Sequence, residues 1–91
     1  MATNFKVSTH QNSENIHLRL VGDFDGSSAH QLLDVLDKKC KGALSIFIHT
    51  NALRRIHPFG CNEFQKNLHF LKGRSGQIIF TGENANKIAP Q

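Results

Sequence analysis

The sequence predicts a small α/β domain on a mixed four-stranded sheet, in the order β-β-α-β-α-β with a short closing helix. Three observations carry that expectation. Two segments with apolar/polar alternation precede any helical spacing, and a nearly continuous apolar run, Ala43 to Ile48, lies between two helical patterns. A further β-rich run, Gln77 to Thr81, follows the second helical pattern. Strands alternating with helices call for crossovers, which pair strands in parallel. With 91 residues and neither a repeat nor a linker, residues 1–91 are expected to form a single domain.

Phe5 to His10 and Ile16 to Gly22 alternate around the polar cluster Gln11 to Asn15, the pattern of a hairpin. Phe5, Val7, Ile16, Leu18 and Leu20 share its core face, and Lys6, His17 and Arg19 point away from it. Gly22-Asp23-Phe24-Asp25-Gly26 then breaks the strand. Ser28 and Gln31 have the spacing of a capping box, so a helix is expected to open at Ser28. Ala29, Leu32, Leu33, Leu36 and Cys40 give its buried stripe. Lys38, Lys39 and Lys41 sit at the negative end of its dipole, and Gly42 supplies a left-handed stop.

Ala43 to Ile48, rich in β formers, suits a central strand covered on both faces. Pro58 suits the first position of a second helix, where its missing N–H has no intrahelical partner anyway. That helix is expected to reach Lys72 and stop at Gly73, with Phe64, Leu68 and Leu71 as its apolar stripe. After the strand Gln77 to Thr81, the residues before Pro90 allow two turns of helix at most.

Composition narrows the function. A 38% hydrophobic content with seven Phe, against 20% charged residues, is that of a soluble globular chain rather than a disordered polyelectrolyte. No run approaches the ~18–20 apolar residues of a membrane span, and the start lacks a signal-peptide core, so a cytoplasmic protein without direct membrane insertion is expected. Cys40 and Cys61 show no CxxC spacing, which disfavours both a disulfide framework and a zinc site. Eleven Lys and Arg against seven Asp and Glu give a net charge of +4. The cations cluster only at Lys38-Lys39-Cys40-Lys41 and Arg54-Arg55, and neither cluster alternates with aromatics along the chain. Nucleic acid is therefore not the expected partner.

Four constellations could carry chemistry. The first is the segment from His49 to Cys61, between the third strand and the second helix, because partners of open α/β sheets bind beyond the carboxyl ends of the strands. Arg54 and Arg55, with free N–H groups of Phe59, Gly60 and Cys61 at the helix mouth, would receive an anion or a partner's carboxylate. In the second, Cys61 with His57 or His49 would be a nucleophile and base; no third orienting group is evident, and a buried apolar thiol is the expectation. The third is the set of six histidines, at 10, 17, 30, 49, 57 and 69, which lack metal-ligand spacing, so neither a metal nor a cofactor is expected, although His49 and His57 could converge. The fourth is Asp23 and Asp25, which flank a turn before a helix and are expected to hold backbone amides.

The element order and two motifs resemble the STAS family of anti-sigma factor antagonists, sulfate transporter tails and phospholipid-transport subunits, over nearly the whole chain. Gly22-Asp-Phe-Asp25 is similar to the family's Gly-Glu-Leu/Ile-Asp turn after the second strand. Ile56-His-Pro-Phe-Gly60 stands where the family has Ile-Asp-Ser-Ser/Thr-Gly, and Leu44 to Ile48 matches a buried strand that usually ends in Asp. In the phospho-regulated branch, the first Ser of that motif accepts phosphate from a kinase-like anti-sigma factor. Here that position is Pro58, followed by Phe59, and neither has a hydroxyl. His57 and His49 stand where the resemblance would place two carboxylates, which makes the helix mouth more positive.

The resemblance implies a non-catalytic protein-interaction module of bacterial signal transduction and transcription regulation, without the phosphorylation switch. Its partner would be an anti-sigma or kinase-like protein. The docking residues would be Arg54, Arg55, His57, Pro58, Phe59, Gly60, Asn62 and Glu63, with Gly22, Asp23 and Asp25 as the structural turn. Alternatives are an accessory subunit docked on the ATPase of an ABC-type lipid transport complex, or a degenerate domain that binds a small ligand at the strand ends. Family members commonly carry another strand and helix after the fourth strand, so a homodimer through an exposed sheet edge is also expected.

Overall fold

Alternation in the first two dozen residues resolves into a hairpin, and the rest of the sheet is added by two parallel crossovers. A computed structural model of the protein describes residues 4–39, 42–68 and 77–89. Its elements are β1 (Lys6–Asn12), β2 (Asn15–Phe24), α1 (Gly26–Lys39), β3 (Ser45–Ile56), α2 (Pro58–Leu68), β4 (Gln77–Thr81) and α3 (Ala85–Ile88). The sheet order is β1-β2-β3-β4. β1 and β2 are antiparallel around Ser13 and Glu14, with Ser13 at a φ of 59°, while β2, β3 and β4 are parallel.

Register aligns the apolar parity of every strand. Ile16 lies opposite Ile46 and Leu18 opposite Ile48, and those two residues of β3 face Ile78 and Phe80 of β4. α1 covers this face with Ala29, Leu32 and Leu36, α2 with Phe64 and Leu68, and α3 with Ile88, all buried in one core. Phe24 sits at its centre, edge-on to Phe5 at 5.9 Å and to Phe64 at 6.1 Å. These edge-to-face contacts add to the area buried by each ring. Thr50 is the polar exception on β3: it is fully buried, and its hydroxyl donates to the Thr81 carbonyl at 2.7 Å.

The structure corrects several boundaries. β2 does not break at Gly22 but runs to Phe24, with shifts in register between Arg19 and Val21 and between Gly22 and Asp23. Such bulges let a strand bend while staying paired. Gly22 is required there: its φ is +102°, and a Cβ would lie 2.3 Å from the Asn4 carbonyl oxygen. α1 opens at Gly26 and is capped by Asp25 rather than by Ser28. The Ser28 N–H donates to Asp25 Oδ1 at 2.9 Å, and the Ser28 hydroxyl donates to the Asp23 carbonyl at 2.7 Å. β3 does not end at Ile48 but continues to Ile56, carrying Arg54 and Arg55 within a strand instead of a loop. Among the described residues it is also covered on one face only: Ile46, Ile48 and Thr50 are buried while Phe47 and His49 are half-buried. The expected positions of Cys40, His69, Leu71, Lys72 and Gly73 lie outside the described residues.

Candidate functional site at the mouth of the second helix

The turn from β2 into α1 and the turn from β3 into α2 stack on each other. The His57 N–H donates to the Phe24 carbonyl at 2.8 Å, tying the end of β3 to the end of β2. Gly60, in the first turn of α2, presses on the α1 cap so closely that a Cβ would lie 2.6 Å from the Asp25 carbonyl carbon. Gly26 makes room in return, because a Cβ there would meet the Phe59 ring at 2.7 Å. The two glycine-bearing motifs singled out in the sequence are thus halves of one joint.

That joint fixes what α2 presents. Phe59 rests one ring edge over Gly26 and leaves 65% of its surface exposed at the start of the helix. Arg54, Arg55, His57, Pro58 and Asn62 are exposed as well, the two arginines near the end of β3 before the helix, while Gly60 and Cys61 are buried. Glu63 is half-buried, with a carboxylate oxygen 3.5 Å from His30 Nε2 of α1. The free N–H expected at Cys61 is instead engaged, donating to the His57 carbonyl at 3.2 Å. Asp25 is held below its usual carboxylate range, first by the backbone hydrogen bond from Ser28, against a smaller opposing effect of burial.

Burial pushes the Cys61 thiol above its ordinary pKa, and Lys87 only partly offsets it, so the residue is a protonated thiol at neutral pH. It lies at the floor of an open groove of about 290 Å³ lined by Ile56, Pro58, Cys61, Asn62, Gln65 and Lys87. The Gln65 amide donates to the carbonyls of Ile88 and Ala89, both at 3.2 Å, pinning α3 to α2 along that groove.

His49 is not at the helix mouth. It lies in the middle of β3 on the other face of the sheet, where its Nε2 is 2.9 Å from His17 Nδ1 and its Nδ1 is 2.6 Å from the Thr81 hydroxyl. The expected convergence with His57 therefore gives way to a pairing with His17, and of the two histidines only His57 stands at the mouth. Burial first, and then the charge of His17, hold the His49 imidazole below its ordinary pKa. Among the described residues, no group of three His, Cys, Asp or Glu side chains is placed to hold a metal ion. No helix among them is long and apolar enough to cross a membrane.

No family model and no curated protein matches the chain. Solved structures do. The anti-sigma factor antagonist SpoIIAA in its unphosphorylated form superposes with a TM-score of 0.59 at 16% identity, over 94% of this chain and 84% of that one. The fold is SpoIIAA-like. A second SpoIIAA-like structure, an uncharacterized DUF3478 protein from Shewanella loihica PV-4, covers 91% of this chain and 89% of its own with a TM-score of 0.55 at 9% identity. Two structures of Mglu superpose with TM-scores of 0.70 and 0.71 at 16% and 13% identity, over 80% and 82% of this chain. The chain spans only 18% and 22% of those two Mglu chains. The SpoIIAA-like fold is the STAS-like architecture that the two motifs implied, a four-stranded mixed sheet with three helices. In this SpoIIAA-like frame, Pro58 and Phe59 open α2.

Proposed function

We propose that the protein is a non-catalytic docking module whose α2 mouth binds a protein partner, in the manner of an anti-sigma factor antagonist but without a phosphoacceptor. The observation that carries this reading is the exposed Phe59, held by Gly26 at the helix start. An exposed aromatic seated on a rigid joint has the character of an interface anchor. Arg54, Arg55 and His57 favour a partner surface that is acidic around an apolar pocket. Pro58 leaves no hydroxyl at the first position of α2, so binding would be set by abundance rather than by phosphate. The protonated thiol of Cys61 supports a role other than nucleophilic catalysis.

Affinity capture from native lysate, with the wild-type chain and Phe59→Asp side by side, tests this reading. A partner retained by the first and lost by the second is expected, and the same proteins on both would contradict it. Self-association is part of the proposal: β1 is an edge strand exposed along nearly its whole length. Light scattering on the purified protein is expected to show a dimer at high concentration, and a strict monomer would remove that part.

A second reading draws on the groove at the carboxyl end of β3. Its volume of about 290 Å³ lies near the lower bound for small-molecule sites, and Lys87 at its rim would favour an anionic ligand. Thermal shift against nucleotides and acyl ligands tests it, and no stabilisation by any of them would exclude it.

A further inference from the structure

The sheet has a second surface, on the face that the helices leave uncovered among the described residues. Register sets its side chains in rows. One row holds His10, His17, Phe47 and Ile79, the next Ser8, Arg19, His49 and Thr81, and a third Asn12, Asn15, Ser45 and Gln77. The His17 and Phe47 rings lie parallel across two strands, with centroids 4.7 Å apart and 9° between their planes. His49 keeps the same orientation 6.5 Å along β3, within 10° of Phe47. The two imidazoles are parallel within 3° with centroids 5.2 Å apart, the spacing of rings joined edge to edge by their 2.9 Å bond. Hydrogen bonding through His49 to Thr81 thus holds three half-buried aromatic planes in one orientation.

Charge completes the surface. Lys6, His10 and Arg19 are exposed around the rings, and the three rows contain no carboxylate. Asp23, further along this face, lies opposite Arg55 in the register. Along the chain Arg19 and Phe47 are 28 residues apart, and pairing of β2 with β3 brings the cations of the hairpin beside the rings of β3.

We propose that this face binds single-stranded nucleic acid, with bases extending the stack of parallel His17, Phe47 and His49 rings and phosphates on Lys6 and Arg19. Stacking on aromatic rings tolerates any sequence, and cations around the rings track the backbone. The amides of Asn12, Asn15 and Gln77 supply donors and acceptors for base edges. A duplex hides the base faces that the rings would meet. An acidic peptide matches the charge but offers no set of planes to the three rings, so the rings favour the single strand.

Fluorescence anisotropy with a labelled short oligothymidylate, titrated with salt, tests the proposal on the intact protein. Binding that weakens with salt is expected. Phe47→Ala is expected to weaken it by about tenfold or more. Arg19→Ser, an exposed substitution that spares the fold, is expected to lower the salt slope by about one phosphate contact. Lys38→Ser removes the same charge from the helical layer and is expected to leave affinity unchanged. Absence of binding at low salt would overturn the proposal, as would equal losses with Lys38→Ser and Arg19→Ser. Tighter binding of the duplex, or of a polyglutamate peptide, would also overturn it.

Discussion

Replacing Gly60 with alanine tests the joint that positions the α2 mouth. A Cβ there would lie 2.6 Å from both the carbonyl carbon and oxygen of Asp25 and 2.8 Å from its Cα. Carbon contacts relax near 3.5 Å, so α2 would have to retreat by about 0.9 Å. The atoms in the way are backbone, held by the hydrogen bond from the Ser28 N–H to Asp25 Oδ1, and no rotamer change relieves them. Overpacking of this kind costs about 1–3 kcal/mol, whereas alanine in place of glycine in a helix returns about 1 kcal/mol at most. With three backbone atoms within 2.8 Å the clash falls in the upper part of that range, about 2–3 kcal/mol, and outweighs the propensity gain for a net loss of about 1–2 kcal/mol. In a domain of this size each kcal/mol corresponds to about 4–8 °C, so thermal unfolding followed by circular dichroism is expected to show a Tm lower by about 4–16 °C. An unchanged or raised Tm would mean that the two turns are not in backbone contact.

Three further outcomes follow from single groups. Asp25→Ala removes the α1 cap and is expected to cost about 1 kcal/mol in denaturant unfolding at neutral pH. Because the folded carboxyl sits below its ordinary value, that stability is present above the unfolded value and is lost as pH falls through the folded one, so mutant and wild type should converge in acid. His49, held low by burial and His17, favours the neutral ring in the fold; its contribution to stability is full above the ordinary 6.5 and declines as pH falls through that value toward the depressed one. Side-chain NMR is expected to show His49 titrating below its ordinary value, and titration at or above that value would contradict the pairing with His17. Cys61 is expected to react with alkylating reagents more slowly than a free cysteine at neutral pH, and slower still in Lys87→Ala; a faster reaction would contradict the buried thiol.

What the sequence makes legible is whatever has a local period. The parity of Ile16, Leu18 and Leu20, the stripe of Ala29, Leu32 and Leu36, and the opening of a helix at Pro58 all follow from alternation, helical spacing and proline chemistry. The length of β3 does not. Asn51, Arg54 and Arg55 carry no burial signal, because what extends the strand is pairing with the long β2. Thr50 is a case in point: polar, yet fully buried, since its hydroxyl has the Thr81 carbonyl to bond.

The site is legible in part for the same reason. The turn motifs stand out as a glycine before Asp23 and a glycine two residues after Pro58, but their mutual contact is tertiary. Whether Phe59 lies inside or outside depends on Gly26, more than thirty residues earlier. His17 and His49 are 32 positions apart, so their hydrogen bond exists only through the register of two parallel strands. The one available signal was that each alternates with apolar neighbours and points away from the core.

In the proposed function, Phe59 anchors a partner at the α2 mouth. Isothermal titration calorimetry of a partner retained by the wild-type chain, repeated with Phe59→Asp, tests it most directly. A buried aromatic anchor contributes about 2–4 kcal/mol, so affinity is expected to fall by about 30-fold or more while the Tm of the variant stays within a few degrees of wild type. Equal affinity for the two proteins would contradict the claim.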